Sequence, residues 1–355
     1  MCGMNEERVQ AILSALPGCK VAVVGDFCVD RYFDIDPDIS DVSNETGLPI
    51  HQVTKVRPEP GGGANVLNNL AALGVGEVYP VGFIGLDGEG FELARIFDSL
   101  EFRLDFLRRS ETRHTPVFVK PLIARPDAAP KELNRFDIFP RDPLSEDEEA
   151  ELVSNVRTAF EAADALIVAD YGEAGKAGIV TARVRETVAE LARTNRKKPV
   201  LADSRLYIDR FRHVVVKPNA DEAMRYLGGQ PDAERSITRL TEIGQRAAER
   251  NKRPVLITLG PDGILLCAPG RAQKIPVYPS ENEGGIDIVG AGDAVLAAIA
   301  SAVAVTAPLD EAAILGMIAA SITIQEIGRC GTASPDQIRA RFKQYAEMYP
   351  DVVGA

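Results

Sequence analysis

The residues best suited to chemistry lie near the C-terminus, where the sequence Asp-Ile-Val-Gly-Ala-Gly-Asp occupies positions 287–293. It runs into an apolar, alanine-rich stretch at 294–305, which predicts that the glycine turn opens a helix. The unpaired N–H groups and the positive end of such a helix suit an anion such as a transferring phosphate. Asp293 falls in the first helical turn, where the same field favours its ionised form.

A carboxylate beside a phosphate-binding turn could take the proton of a hydroxyl while the turn stabilises the phosphoryl group that the hydroxyl attacks. For one such turn alone, a helix start with an acidic cap is the simpler explanation. The decision between the two therefore depends on companion motifs.

Two polar clusters in the N-terminal part could bind a ligand. Three glycines at 61–63 allow close backbone approach, and Asn65 behind them offers a donor and an acceptor to sugar hydroxyls. Asp26 and Asp30 follow the first predicted strand, at the edge where ligands bind in open α/β sheets. A structural turn and a solvated loop are the plainer explanations of these clusters.

Two further clusters could contact a nucleotide and its metal. Asn219 and Glu222 would share a helix face and offer oxygen ligands to hydrated Mg²⁺, although an N-cap followed by an acid gives the same pattern. The turn at 258–263 could border nucleotide phosphates or be a turn only.

Composition limits the class of protein. The 355 residues are 45% hydrophobic and 26% charged, with a net charge of -12, which is typical of a globular chain and argues against nucleic acid or an anionic membrane as partner. The five cysteines form no CxxC pair and the three histidines have no metal-ligand spacing. Residues 1–18 predict an amphipathic helix and no signal peptide, and no apolar run is long enough to span a membrane. We expect a cytoplasmic protein.

Apolar strands alternate with helices from residue 165 onward, which predicts a mostly parallel sheet covered on both faces. The predicted elements of this part include helices at 175–193, 219–227, 233–250, 290–305 and 310–327. Two polar, proline-rich stretches at about 34–60 and 113–137 interrupt the rhythm, and they predict a small β-lid inserted into a single α/β domain that covers residues 1–355. Plain surface loops are the alternative.

Several enzyme classes are excluded by missing motifs. The sequence has no GxxxxGK[ST] phosphate loop and no GxSxG elbow. The glycines at 85–90 are in the wrong order for a dinucleotide-binding turn.

Taken together, the motifs resemble the ribokinase-like (PfkB) carbohydrate kinases over most of the chain. The glycine loop with Asn65 is similar to the first signature of that family, and the segment 287–293 to the second. The resemblance implies that Asp293 is the catalytic base and that Gly290, Ala291 and Gly292 form an anion hole. It also implies ATP and Mg²⁺ as cofactors, and a lid that closes over the sugar and joins two subunits in a homodimer.

The resemblance assigns the remaining site residues. Asn219 and Glu222 would organise Mg²⁺, and Asp287 with the Val289 carbonyl corresponds to a site for a monovalent cation such as K⁺. The predicted nucleotide-binding residues are Lys217, Asn219, Thr258, Gly260, Gly263 and Gly331. The predicted substrate-binding residues are Asp26, Asp30, Arg31, Gly61, Gly62, Gly63, Asn65, Asp170 and Tyr171.

Finer details resemble one branch, the heptose-7-phosphate kinases, which also occur as the kinase half of bifunctional ADP-heptose synthases. The shared segments are 25–32, 43–50, 134–137, 169–171 and 328–334. Two lysines common in that branch are absent: this chain has Val117-Phe118 and Asp203-Ser204-Arg205 at the corresponding positions. If those lysines bind a sugar phosphate, Arg113, Lys120 or Arg205 would have to replace them, and an arginine can bind phosphate in a bidentate manner.

The sequence therefore predicts an ATP-dependent sugar kinase, with D-glycero-D-manno-heptose 7-phosphate, phosphorylated at O1, as one candidate substrate. A kinase of the same family acting on a non-phosphorylated sugar or a nucleoside is the nearest alternative. An ATP-dependent dehydratase and a non-catalytic sugar-binding protein are alternatives from other classes.

Overall fold

The computed structural model describes residues 3–125, 128–172, 177–225, 236–280 and 285–354. The strands in this part of the chain are β1 Lys20–Gly25, β2 Phe27–Val42, β3 Pro49–Gly62, β4 Glu77–Gly85, β5 Leu107–Ser110, β6 Val117–Arg125, β7 Ala128–Glu132, β8 Phe136–Ile138, β9 Ala165–Asp170, β10 Val200–Ser204, β11 Val215–Val216, β12 Val255–Thr258, β13 Ile264–Ala268 and β14 Arg271–Ile275. The α-helices are α1 Glu6–Ala15, α2 Gly63–Ala72, α3 Gly88–Ser99, α4 Glu146–Ala162, α5 Ala182–Thr194, α6 Ala220–Met224, α7 Ile237–Asn251, α8 Ala291–Ala304, α9 Leu309–Thr323, α10 Pro335–Met348 and α11 Pro350–Val353.

A large sheet forms the centre of the molecule, in the order β14-β13-β12-β11-β10-β9-β1-β4-β5. Its strands run parallel from β5 to β12, and β13 and β14 are antiparallel at one edge. The predicted mostly parallel sheet is therefore confirmed. Parallel pairing brings the carboxyl ends of β1, β9, β10, β11 and β12 to one edge of the sheet.

Both faces of this sheet are buried, because side chains along a strand alternate between two cores. Val21 and Val23 of β1 belong to a core that includes side chains of α2, α8 and α9. Ala22 and Val24 of the same strand belong to a second core, which includes side chains of α4, α5 and α7. This layering holds the sheet edge rigid.

A second sheet has the order β3-β2-β6-β7, with β8 paired to β6. Its strand β2 is separated from β1 by a single residue, Asp26, and pairs with β3 in antiparallel register from Phe27 opposite Gly62. The segments predicted to form a lid, about 34–60 and 113–137, are largely strands of this sheet. Several of its apolar side chains are exposed, among them Leu48, Val56 and Phe136.

One predicted helix start was wrong. The helix predicted from residue 175 begins at Ala182, since Thr181 has extended backbone angles and its side chain accepts a hydrogen bond from Val184 N, which makes it the N-cap. Residues 175–176 of this predicted helix lie outside the described residues, as do residues 226–227 and 233–235 of two other predicted helices. No helix in the described ranges is long and apolar enough to cross a membrane.

Candidate active site

The start of α8 forms the centre of the candidate site. Gly290 precedes the helix with a φ of 80°, a conformation that glycine adopts without strain. A Cβ at this position would lie 2.6 Å from Asn65 Nδ2, so a side chain would displace that amide. Within the described residues, the Gly292 N–H has no hydrogen-bond acceptor, whereas Ala291 N–H donates to the Ile288 carbonyl and Asp293 N–H to the Gly290 carbonyl.

The Asp293 carboxylate is held by two neutral donors from different elements. Asn65 of α2 donates from Nδ2 to Asp293 Oδ2 at 2.9 Å, and the Tyr171 hydroxyl donates to Oδ1 at 2.6 Å. Burial raises the pKa of Asp293 to about 6, although both hydrogen bonds act in the opposite direction. The side chain is thus a half-buried carboxylate that is ionised at neutral pH and binds a proton more tightly than an ordinary aspartate.

Asp203 and Lys217 form an ion pair next to this carboxylate. Lys217 Nζ lies 2.7 Å from Asp203 Oδ2, and the Tyr171 hydroxyl lies 3.2 Å from the same oxygen. Burial disfavours the charge of Lys217, yet Asp203 keeps the pKa of the ammonium above its usual value. Sequence reasoning did not assign Asp203 to the site, although its place at the end of a parallel strand was a usable signal.

The glycine loop packs against Asp30. A Cβ on Gly61 would lie 2.4 Å from Asp30 Oδ1, so only glycine leaves room for this carboxylate. Gly62 precedes α2, and Gly63 donates its N–H to the Asp26 carbonyl at 2.9 Å. These contacts bring the first glycine motif and Asn65 to the edge of the sheet where Asp293 lies.

Asp30 itself is neutralised by a lysine of the second sheet. Lys120 Nζ lies 2.7 Å from Asp30 Oδ2, and both side chains are less than one-tenth exposed. Lys120 also donates to the Tyr32 hydroxyl at 3.4 Å, and the Cys330 thiol lies 3.8 Å from Asp30 Oδ2. Lys120 appeared in the sequence analysis only as a possible phosphate ligand.

The other residues predicted to bind substrate have structural partners. Asp26 Oδ1 accepts the Ile179 N–H at 2.8 Å, while Asp26 Oδ2 is buried and has no partner in the described part of the chain. Asp170 accepts from the Ser204 hydroxyl, and burial, followed by the charge of Asp26, raises the pKa of Asp170 to about 7. Arg31 turns to α3, where it forms ion pairs with Glu89 and Glu92.

Asn219 and Glu222 form a reciprocal capping box at the start of α6. Asn219 Oδ1 accepts the Glu222 N–H and Glu222 Oε2 accepts the Asn219 N–H, both at 2.8 Å. Burial, followed by the charge of Asp203, raises the pKa of Glu222. The plainer explanation, a helix cap, therefore describes these two residues. It does not account for the buried carboxyl group of Glu222 beside the ion pair of Asp203 and Lys217.

The predicted nucleotide-binding turn lies next to this cap. Thr258 ends β12 and donates its N–H to the Pro218 carbonyl at 2.9 Å. Gly260 begins a short 3₁₀ helix, and Gly263 follows it with its carbonyl bonded to Leu259 N. Gly331, in the segment that follows α9, is buried.

The Asp287 carboxylate is bound by backbone amides. Its Oδ1 accepts the Val289 N–H at 3.0 Å and its Oδ2 accepts the Gly328 N–H at 2.9 Å. Among the described residues, no cluster of three or more histidine, cysteine, aspartate or glutamate side chains could hold a metal ion. Any metal at this site would therefore depend on water or on a substrate for several of its ligands.

The three candidate phosphate ligands lie in different places. Lys120 is paired with Asp30, whereas the Arg113 guanidinium donates to the carbonyls of Asp142 and Ala177. The exposed Arg205 guanidinium lies 5.3 Å from the centre of the Tyr171 ring, beside the Asp293 network.

Comparison with known proteins gives a family match over most of the chain. Residues 20–336 match the family described as pfkB family carbohydrate kinase. The bifunctional protein HldE of Desulfatibacillum aliphaticivorans is 28% identical over 344 residues, which cover 94% of this chain. The matched region spans 65% of the length of that relative.

Solved structures share the fold. The phosphofructokinase-2 of Escherichia coli in complex with potassium has a TM-score of 0.70 at 19% identity, and the Arabidopsis thaliana ribokinase complexed with ribose and ATP has a TM-score of 0.67 at 20% identity. Each match covers 92% of this chain and 99% of the other. These similarities establish a ribokinase-like fold.

Proposed function

The chain belongs to the pfkB family of carbohydrate kinases, and from this premise we propose that it transfers the γ-phosphoryl group of ATP to a hydroxyl of a sugar or sugar phosphate. The observation that carries the proposal is the half-buried Asp293 carboxylate at the start of α8, beside the Gly292 N–H, which has no acceptor among the described residues. A base and an amide donor for phosphate are then within one helical turn.

Asp293 acts as the general base. It takes the proton of the attacking hydroxyl, the hydroxyl oxygen forms a bond to the γ-phosphorus, and the bond to the leaving ADP oxygen breaks. A pKa of about 6 supports this role. The carboxylate is ionised at neutral pH, and its proton affinity is closer to that of the sugar hydroxyl oxygen than the affinity of an ordinary aspartate would be.

The negative charge of the transferring group is met by the start of α8 and by Lys217. The Gly292 N–H and the helix dipole favour an anion at this point. Lys217 Nζ would lie 3.6 Å from a Cβ on Gly292, so an ammonium borders the same space. Gly290 and Ala291 hold the turn that aims this amide.

Mg²⁺ bound with ATP would neutralise charge on the phosphates. The fit of the site to this ion rests on Glu222, whose pKa is raised by burial, followed by the charge of Asp203. A buried carboxylate without a closed ligand cage suits a hydrated ion. We assign Asn219 to holding Glu222 in place, and Asp287 with the Val289 carbonyl to a monovalent cation such as K⁺.

The sugar lies between the glycine loop and the second sheet. Asp30 and Asn65 would bind its hydroxyls, and Gly61, Gly62 and Gly63 leave room for Asp30 and for residues 26–28, so that the loop packs closely against them. Asp26 accepts the Ile179 N–H and Asp170 accepts from the Ser204 hydroxyl, so these two carboxylates support the shape of the site and contribute less to binding the sugar.

Heptose 7-phosphate is the first candidate substrate, since the similarity to HldE spans nearly the whole chain. Arg205 is the best placed of the three candidate phosphate ligands, because it is exposed and lies over the Tyr171 ring. Non-phosphorylated sugars are the second candidate, since Lys120 is already paired with Asp30.

A substrate panel tests the proposal. Purified protein with ATP and Mg²⁺ is mixed with heptose 7-phosphate, hexoses, pentoses or nucleosides, and both ADP and the phosphorylated product are measured. We expect equal amounts of both with at least one sugar. Phosphate release without a phosphorylated sugar would indicate a dehydratase instead, and absence of turnover with every acceptor would favour a non-catalytic sugar-binding protein.

The second sheet is proposed to act as the lid and to join two copies in a homodimer. Its exposed apolar side chains support this role: Ile39, Val42, Leu48, Ile50, Val53, Val56, Phe136 and Ile138. Light scattering of the purified protein is expected to give the mass of a dimer, and the Val56→Asp variant the mass of a monomer. A wild-type monomer at micromolar concentration would contradict this assignment.

A further inference from the structure

Tyr171 lies between two carboxylates but has one hydroxyl proton. Its oxygen is 2.6 Å from Asp293 Oδ1 and 3.2 Å from Asp203 Oδ2, so the shorter contact takes the hydrogen in this arrangement. Burial, followed by the charges of Asp203 and Asp293, raises the pKa of Tyr171 well above its usual value, so the proton stays on the phenol. The hydroxyl can serve one of the two carboxylates fully at a time.

The second acceptor, Asp203, is satisfied by Lys217 in this arrangement. The ammonium lies 2.7 Å from Asp203 Oδ2 and also borders Gly292, where the proposed function brings the γ-phosphate. An anion at Gly292 would compete with Asp203 for Lys217. A buried carboxylate that loses part of its partner is costly, and the nearest donor able to replace the lost hydrogen bond is the Tyr171 hydroxyl.

We propose that Tyr171 is a positioning residue whose hydroxyl holds Asp293 until a nucleotide draws Lys217 toward its phosphates, and then turns to Asp203. The turn leaves Asp293 Oδ1 open to the incoming sugar hydroxyl. It also removes a hydrogen bond that stabilises the ionised form of Asp293, which makes the carboxylate a stronger base. The phenol keeps its proton throughout, and the sugar proton passes to Asp293.

This arrangement links nucleotide binding to activation of the base, and it rests on the proposed function. Charged or titratable groups face Asp293 from several elements, and all of them enter its proton affinity: Tyr171 after β9, Asp203 of β10, Lys217 after β11 and Cys330 after α9. The test must therefore separate the effect of the Tyr171 hydroxyl on the pKa of Asp293 from the direct electrostatic effect of the nucleotide on the same pKa.

The test is a ¹³C NMR titration of protein labelled at aspartate carboxyls, with the Asp293 signal assigned by its loss in Asp293→Asn. Without nucleotide, Tyr171→Phe is expected to raise the pKa of Asp293 by about one to two units, because a hydrogen bond to a charged group is lost. Asp203→Asn is expected to lower it, because the charge of Asp203 raises this pKa. Tyr79→Phe is the matched control, since the Tyr79 hydroxyl donates to Glu77, away from the site.

The titration is then repeated with Mg²⁺ and AMP-PNP, a non-hydrolysable ATP analogue. Direct repulsion between the phosphates and the Asp293 carboxylate acts in every variant. Only in the wild type can the Tyr171 hydroxyl also leave Asp293 for the Asp203 carboxylate, so the nucleotide-induced rise in the pKa of Asp293 should be larger in the wild type than in either Tyr171→Phe or Asp203→Asn. Equal rises in all three proteins would overturn the proposal, as would an unchanged or lowered pKa in Tyr171→Phe without nucleotide. If Tyr171→Phe does not fold, the Asp203→Asn comparison decides.

The readout needs no turnover. A protein that phosphorylates no sugar would therefore refute the proposed function and leave the titration result interpretable.

Discussion

At the start of α8 the Asp293 carboxylate accepts hydrogen bonds from an amide and a phenol, whereas next to the second sheet the Asp30 carboxylate is paired with the Lys120 ammonium. Asp30 is buried and Asp293 is half-buried, and their partners differ in charge. Neutral donors leave the negative charge of Asp293 in place, so burial raises its pKa to about 6. An ammonium instead neutralises Asp30, which makes it a fixed hydrogen-bond acceptor.

The two regions also differ in how they are anchored. The donors to Asp293 come from α2 and the end of β9, both of which belong to the main layered core. Lys120 comes from β6 of the second sheet, and that sheet is tied to the loop after α9 by Arg57, which donates to the Gly328 carbonyl. The proposed base is thus held in place by the main core, whereas the geometry of the proposed sugar site depends on the position of the second sheet.

If this contrast holds, changing Asp293 should affect turnover far more than binding. We expect Asp293→Asn to lower kcat by about 10²- to 10⁴-fold, because the amide cannot take the sugar proton. The KM values for sugar and ATP should change only a few-fold in steady-state assays.

Asp310→Asn is the control for this variant, since Asp310 also lies in the first turn of a long apolar helix, away from the site. Near-normal kcat in Asp293→Asn would remove the base role. A loss of similar size in Asp310→Asn would point to helix stability as the cause.

The second-largest effect is expected from Gly290→Ala. The new Cβ would lie 2.6 Å from Asn65 Nδ2 and would force alanine into a φ of 80°, so Asn65 must move away from Asp293. We expect kcat to fall by about 10²-fold, as for loss of one preorganised donor. Gly270→Ala has a similar φ of 69° but no neighbour within 4 Å, so it should lose stability and keep its kcat.

On the lid side, breaking the ion pair should affect binding and stability. Lys120→Met leaves the buried Asp30 without its opposite charge, so we expect the free energy of unfolding to fall by about 3–5 kcal/mol and the sugar KM to rise by about tenfold or more. The double variant with Asp30→Asn should recover most of the stability, because a neutral pair replaces the charged one, but not the sugar affinity. Denaturant unfolding and steady-state kinetics on both variants check this; recovery of the KM in the double variant would exclude Asp30 as a sugar ligand.

The sequence predicted the base region better than the lid side. Asp293, Asn65 and the glycine turn, which the structure brings together, could be singled out because each depends on local rules, namely turn chemistry and a helix start next to an apolar run. The main sheet was predictable for a similar reason, since its strands are short apolar runs between helices.

The contacts that join distant segments were not predictable from one sequence. Lys120 and Asp30 are 90 residues apart, and Tyr171 and Asp203 are 32 apart. Periodicity assigned each residue to an element but gave no information on which strand ends would meet. The helix start at Ala182 was missed because Gly175 looked like the boundary, whereas Thr181 supplies the cap.

The smallest effect is expected from the contact between the second sheet and the loop after α9. Arg57 forms a bidentate pair with Asp34 and also donates to the Gly328 carbonyl, and the N–H of Gly328 in turn donates to Asp287. Lysine keeps the charge but not the planar fork, so Arg57→Lys should lose the bidentate geometry and the carbonyl contact.

Because these groups are about one-fifth exposed, the loss should be about 0.2–1 kcal/mol, or up to about fivefold in sugar KM, with kcat unchanged. Arg135→Lys is the matched control, since Arg135 has the same bidentate pairing to Asp137 within the second sheet. A fall in kcat with Arg57→Lys would mean that the second sheet also positions the base, and the two regions could no longer be treated as separate. An equal rise in KM with Arg135→Lys would mean that the stability of the sheet itself, and not its contact with the loop, sets the sugar affinity.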